Sequence, residues 1–265
     1  MPLDHANQGV RQSLPLRHLM STVGGMDPDV SSAPADSLSM IPDSTERVLA
    51  DVRALTDADL RAPSGLPGWS RGHVVAHLAR NADGLSTLLV SARTGERRPM
   101  YASQEQRDAD IEAGAGRSAV ELTADFLETA RGFATEAERL TDWSATVFRT
   151  PDGPEFSVRT VPLLRLGELE IHHTDLDIGY GFVRWPTAWA AAYLPYAGRG
   201  LAERADEPLG VAATDTGTRL GADSPEARVV EGPAATLLAW VTGRHDGHDL
   251  KVTPDGPLPT LGTWR

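Results

Sequence analysis

The segment LGELEIHHTDLDIGY, residues 166–180, sets carboxylate and imidazole donors one helical turn apart. In an α-helix successive residues rotate by about 100° and rise about 1.5 Å, so Glu168, His172, Asp175 and Gly179 fall along one stripe. Leu166, Leu169, His173 and Leu176 fall on the opposite stripe, which removes His173 from the candidate ligands. A second stretch, residues 71–94, puts His73, His77 and Asn81 on one face, with Val74, Leu85 and Leu88 close by. An imidazole in the middle of an apolar stripe needs a polar partner, and the first segment offers Glu168 and His172. Two imidazoles and one carboxylate suit Zn²⁺ or a neighbouring first-row ion and leave a position open for water or substrate, the catalytic rather than the closed structural pattern. Asp175 can accept the second ring N–H of a ligand histidine and fix its tautomer.

Each half of this pattern also has a plainer reading. A Glu and a His one turn apart form a solvated pair more often than a metal site, and a single histidine on an apolar face is more often a satisfied core residue. The two-helix combination puts the metal reading level with these. His73 reads as a first-turn contact, and Glu170, square to neither stripe, as solvated.

Four helices are needed to position these residues. The first is predicted from Asp43 or Ser44 to about Thr56, with Val48, Leu49, Val52 and Leu55 at helical spacing. The second runs from Arg71 to Thr94 between an N-cap at Ser70 and a stop at Gly95. A third covers residues 117–141, with Val120, Leu127, Ala130, Ala134, Ala137 and Leu140 as its apolar stripe, and a fourth covers 161–178. Alternation on either side of Pro151-Asp152-Gly153 reads as a hairpin. Each helix has one stripe to bury, so a four-helix bundle is the economical arrangement.

Beyond Trp185 a helix is predicted from Pro186 to Arg204, then strands near 209–213, 228–230 and 250–253, with a short helix Pro233–Thr242 between the last two. The predicted class is α+β: a tail over residues 1–40, a helical bundle over 41–185 and a smaller α/β domain over 186–265. Arg244 follows Gly243 at the end of the short helix, where it can leave the helical path and reach a cleft between the domains.

A net charge of −12, spread rather than massed, argues against nucleic acid and anionic membranes as partners. No stretch approaches the roughly 18 to 20 apolar residues of a membrane span, and the first residues lack a basic n-region and an apolar h-region. A cytoplasmic enzyme is the expectation, as a monomer or homodimer. The chain has no cysteine, which excludes disulfides, thiolate ligands and a cysteine nucleophile. Any sulfur chemistry must use a borrowed thiol. Lys251 is the only lysine, so Schiff-base catalysis would have to use it.

The words LPGWSRGHVVAHLARNADGLSTLL (66–89), GELEIHHTDLDIGYG (167–181) and EGPAATLLAWVTGR (231–244) resemble the mycothiol-dependent maleylpyruvate isomerase family, whose members are DinB-like four-helix bundles with a small C-terminal domain. The resemblance spans about residues 40–265. It implies a divalent metal on His77, Glu168 and His172, catalytic roles for Asp175 and Arg244, and contact of Asn81 and Arg244 with a thiol cofactor. It further implies that the thiol of mycothiol adds to the cis double bond of maleylpyruvate, that the adduct rotates, and that elimination gives the trans isomer. The alternatives are a metal-dependent hydrolase or lyase using metal-bound water, and a non-catalytic ligand-binding protein on the same bundle.

Overall fold

The computed structural model describes residues 34–264. The expected tail therefore lies outside the described residues as far as residue 33. From Pro34 onward its remainder is helix, which corrects the boundary at residue 40: α1 runs Pro34–Arg53 straight through Pro42. Its inward face at the start, Pro34, Ser37, Ile41 and Ser44, keeps helical spacing but holds two serines and a proline, so it carries little hydrophobic periodicity.

α2 (Asp57–Arg61) is a single turn with a capping box. α3 (Arg71–Thr94) starts at Ser70, whose side chain accepts from the His73 N–H, and stops at Gly95, whose φ of 72° a residue with a Cβ adopts only with strain. α4 (Gln104–Ala115) and α5 (Ala119–Arg139) follow. In α5 the buried face is Leu122, Phe126, Thr129, Phe133 and Ala137, and Val120 is exposed. Of the predicted stripe Ala137 and Leu140 are buried, Leu127 and Ala130 half-buried, and Val120 and Ala134 exposed, because the two phenylalanines outweigh the alanines in setting the helix phase. β1 (Thr146–Phe148) and β2 (Glu155–Ser157) form the predicted hairpin, antiparallel with Val147 opposite Phe156. α6 (Val161–Asp175) is buried on nearly every side. Helices α1, α3, α5 and α6 pack as a four-helix bundle.

α7 (Thr187–Ala197) and the short α8 (Leu201–Arg204) lead to a four-stranded sheet in the order β4-β3-β5-β6. Its strands are β3 (Leu209–Ala213), β4 (Arg219–Gly221), β5 (Arg228–Gly232) and β6 (Lys251–Thr253). β3 and β5 are parallel, and both edge pairings are antiparallel. α9 (Ala234–Val241) follows β5 and packs on α7. Buried apolar side chains run as one cluster from the bundle through Trp185, Trp189 and Tyr193 to Leu237 and Val252.

Two local devices set the site. Arg71, the first residue of α3, donates from Nε to the carbonyl of Leu176 at 2.8 Å and from Nη2 to that of Asp177 at 2.9 Å. These bonds satisfy carbonyls at the end of α6 and tie it to the start of α3. At the end of α9, Gly243 (φ 77°) donates to Trp240 and Arg244 donates its N–H to Ala239 at 2.7 Å. That Schellman turn directs the Arg244 side chain back toward the bundle.

Candidate functional site

His77 from α3 and Glu168 and His172 from α6 meet in the buried middle of the bundle. One oxygen, Glu168 Oε2, lies 2.9 Å from His77 Nε2 and 3.3 Å from His172 Nε2. The two imidazole rings stand edge to face with centroids 4.5 Å apart, and the Trp69 ring lies 5.6 Å from that of His77. The ligand atoms of the three residues all lie within 4.8 Å of one another.

A second layer fixes the first. His172 Nδ1–H donates to Asp175 Oδ2 at 2.8 Å, one turn further along α6. Arg244 grips the same carboxylate from the far end of the chain, Nε to Oδ1 at 3.1 Å and Nη2 to Oδ2 at 2.7 Å, and its Nη1 donates to the Thr242 carbonyl. The path Arg244–Asp175–His172 is thus continuous, and the guanidinium fork is filled by a protein carboxylate. On the other side Arg107 Nη2 donates to His77 Nδ1 at 3.1 Å, which leaves the ring proton on Nε2, facing Glu168.

Burial and partners divide the charges. Burial, together with the nearby His172 charge, pushes His77 down to about 4 and leaves it neutral. Burial also opposes a charge on His172, but hydrogen bonds to Asp175 and Glu168 outweigh it and hold His172 up at about 9. Glu168 is pulled well below the usual carboxylate range, because its hydrogen bonds with His172 and His77 overcome desolvation. Asp175 is lowered too, against burial, by its bond to His172 and by the Arg244 charge.

These residues fit a divalent ion. Two borderline nitrogens lie 2.9 and 3.3 Å from one carboxylate oxygen, near the spacing of about 3.3 Å that neighbouring ligands take in a tetrahedral set with bonds of about 2.0 Å. Asp175 is the expected acceptor behind a ligating histidine. One adjustment is required: ligation through His77 Nε2 moves its proton to Nδ1, so Arg107 must give up its bond there.

His73 stays out of the group, completing the Ser70 cap and reaching Glu112 at 3.1 Å. His173 faces α1, 2.7 Å from Asp51 and stacked on Tyr180. Asn81 is buried one turn beyond His77, where its carbonyl oxygen accepts from Arg165 at 3.1 Å. Glu170 corrects the sequence reading. It is 1% exposed rather than solvated, and accepts from Ser44, Arg47 and Tyr180, which joins α1 to α6. Sequence reasoning missed Arg107, because α4 shows no apolar stripe to orient it.

A family model described as the mycothiol maleylpyruvate isomerase N-terminal domain matches residues 41–177. Among solved structures, a crystal structure of a mycothiol-dependent maleylpyruvate isomerase superposes with a TM-score of 0.79 at 24% identity, over 90% of this chain and 100% of that one. A histidine-to-alanine mutant described by the same enzyme name gives 0.78 at 24% identity, with the same coverage of both chains. Likeness at this identity establishes the fold, a helical bundle with a small α/β part. No curated protein matches the chain. Among the described residues no helix is long and apolar enough to cross a membrane.

Proposed function

Because this chain belongs to the mycothiol maleylpyruvate isomerase family, we propose that it is a mycothiol-dependent isomerase or thiol transferase of that type, with one divalent ion, zinc by its donor set, on His77, Glu168 and His172. The observation that carries the reading is the approach of both Nε2 atoms to one Glu168 oxygen. We take residues 34–185 as the metal-binding bundle and 186–265 as the part that contributes Arg244, in a cytoplasmic monomer or homodimer.

A bound divalent cation supplies Lewis acidity, which makes a thiol easier to deprotonate and developing negative charge easier to bear. An external thiol supplies reversible addition to an activated cis double bond, with rotation before elimination, and a chain without cysteine must borrow that sulfur. The chain's own residues do the positioning. Asp175 holds the Nδ1 proton of His172, so the Nε2 lone pair points inward when that ring is neutral. Arg244 holds Asp175 ionised and in place by two hydrogen bonds. Trp69 packs beside His77, with the ring centroids 5.6 Å apart. The Asn81 amide nitrogen makes no hydrogen bond among the described residues and is the donor we assign to the thiol cofactor.

The test is metal analysis of the purified protein followed by turnover of maleylpyruvate with and without mycothiol, the product resolved by chromatography. Turnover that needs both metal and thiol supports the assignment. Thiol-independent turnover supports a metal-dependent hydrolase or lyase instead. Bound metal without turnover of any thiol substrate supports a ligand-binding protein.

A further inference from the structure

The charges around the triad leave one part of the site without a carboxylate. Arg244 is spent on Asp175, as described, and Arg107 stays paired with Asp108 at 2.9 Å through Nη1 even when a metal on His77 releases its Nη2. Arg165 is 1% exposed, sealed beneath α3 by its bond to the Leu78 carbonyl, and cannot meet a substrate. Arg149 differs from all three. It follows β1, is half-buried, and makes no ion pair among the described residues. Its Nη2 donates to the Tyr196 hydroxyl at 3.2 Å.

Tyr196 carries a second guanidinium on its face, Arg199, at 4.6 Å from the ring centroid. The Arg199 Nε and Nη2 atoms are out of contact with solvent and have no hydrogen-bond partner among the described residues. Two cations thus bracket one phenol with no anion between them, an arrangement whose desolvation is uncompensated until an anion arrives. The Tyr196 oxygen accepts from Arg149, so its own O–H remains to donate.

The group adjoins the triad through Tyr193, one turn earlier on α7. The Tyr193 and Tyr196 rings are 5.2 Å apart. A Cβ placed on Gly167, the neighbour of Glu168, would lie 2.3 Å from the Tyr193 ring and 2.7 Å from its hydroxyl, so Tyr193 packs directly on the α6 backbone beside the ligand. Arg149 carries its charge as every arginine does near neutral pH, and the Glu168 carboxylate acts on it electrostatically, which puts it within reach of the triad.

We propose that Arg149, Tyr196 and Arg199 form an anion-binding subsite beside the triad that takes a carboxylate of the electrophilic substrate. The inference rests on the isomerase reading for the identity of that substrate. A planar guanidinium and a phenol O–H together suit a carboxylate's two oxygens. They also favour an anionic electrophile over its neutral ester.

The test uses the metal-loaded full chain with Arg149→Gln and Arg149→Lys. Arg149→Gln is expected to raise KM for maleylpyruvate roughly 10- to 100-fold, the loss of a charge-assisted bond pair. kcat and the KM for mycothiol are expected to stay within about threefold. Arg149→Lys should recover part of the loss. Calorimetric titration of maleate, a dianion, into wild type and Arg149→Gln gives a readout independent of turnover, and melting curves check folding. Unchanged KM and unchanged maleate binding in Arg149→Gln would overturn the subsite. A rise in the mycothiol KM alone would reassign it to the thiol and overturn the substrate assignment. If wild type turns over no maleylpyruvate, the isomerase reading fails, and the maleate titration still decides the subsite: weaker binding in Arg149→Gln supports it, while equal or absent binding in wild type refutes it.

Discussion

Arg244→Ala reaches the proposed metal through two intermediaries, and its cost can be worked from the contacts. The Arg244 side chain is 13% exposed and that of Asp175 5%, so the pair is well shielded from solvent. Removing one partner of a buried ion pair costs about 3 to 5 kcal/mol, because the other charge stays buried and unpaired. Asp175 keeps its bond to His172, which places the cost near the lower end, about 3 kcal/mol. In a protein of this size that corresponds to a fall in Tm of about 6 to 12 °C. Loss of a group that orients a ligand through its partner lowers metal affinity by about 10- to 100-fold, and kcat/KM is expected to fall about 10- to 1000-fold. The assays are thermal melts followed by circular dichroism, and metal competition against a chelating dye. Arg244→Lys should restore part of each loss, because a point charge replaces the bidentate fork incompletely. Asp175→Asn in the Arg244→Ala background removes the orphaned charge, so the double variant should be less destabilised than the two single costs added together. An arginine that only reached for substrate would leave Tm and metal affinity alone. Unchanged values of both in Arg244→Ala would refute the Arg244–Asp175–His172 path.

Other expectations follow from particular contacts. Gly167→Ala should destabilise by about 1 to 3 kcal/mol, since its Cβ would overlap the Tyr193 ring and push α7 away from α6, a change visible as a lowered denaturant midpoint. Tyr180→Phe should cost about 1 to 2 kcal/mol in the same assay, because Glu170 loses one of three donors in a site that is 1% exposed. A chain starting at residue 41 should melt below one starting at residue 34, since it lacks the first turns of α1 and the buried Pro34 and Ser37; equal melting temperatures would show that these turns contribute nothing to the fold.

The three proposed ligands were legible in the sequence because each lies on a long helix whose phase is set by its neighbours. The four-residue step from Glu168 to His172 is a helical repeat, and Ser70 and Gly95 mark the ends of the helix that carries His77. The strand Leu209–Ala213 was read to the residue, since a run of five apolar or small residues between turns is a strong local signal. What was not legible depends on approach between distant segments. Glu170 looks solvated from its helix alone, and only the arrival of α1 with Ser44 and Arg47 makes it a buried acceptor. Arg107 sits on a helix of mixed charge, and nothing local says that it turns inward to His77. The start of α1 was missed because Pro42 and two inward serines look like a loop. Arg244 was singled out for reaching the substrate, but local sequence could not reveal that Asp175 would occupy its fork.

The most direct measurement of the central claim is metal content per chain, by plasma mass spectrometry, in His172→Ala and His173→Ala purified alongside wild type. The two residues are neighbours in sequence, about 100° apart around α6, and their imidazoles meet different partners, Glu168 in one case and Asp51 in the other. Wild type and His173→Ala are expected to hold about one divalent ion per chain, while His172→Ala holds far less, because two remaining ligands cannot match the affinity of three. Full metal content in His172→Ala, or its loss in His173→Ala alone, would contradict the site built on His77, Glu168 and His172.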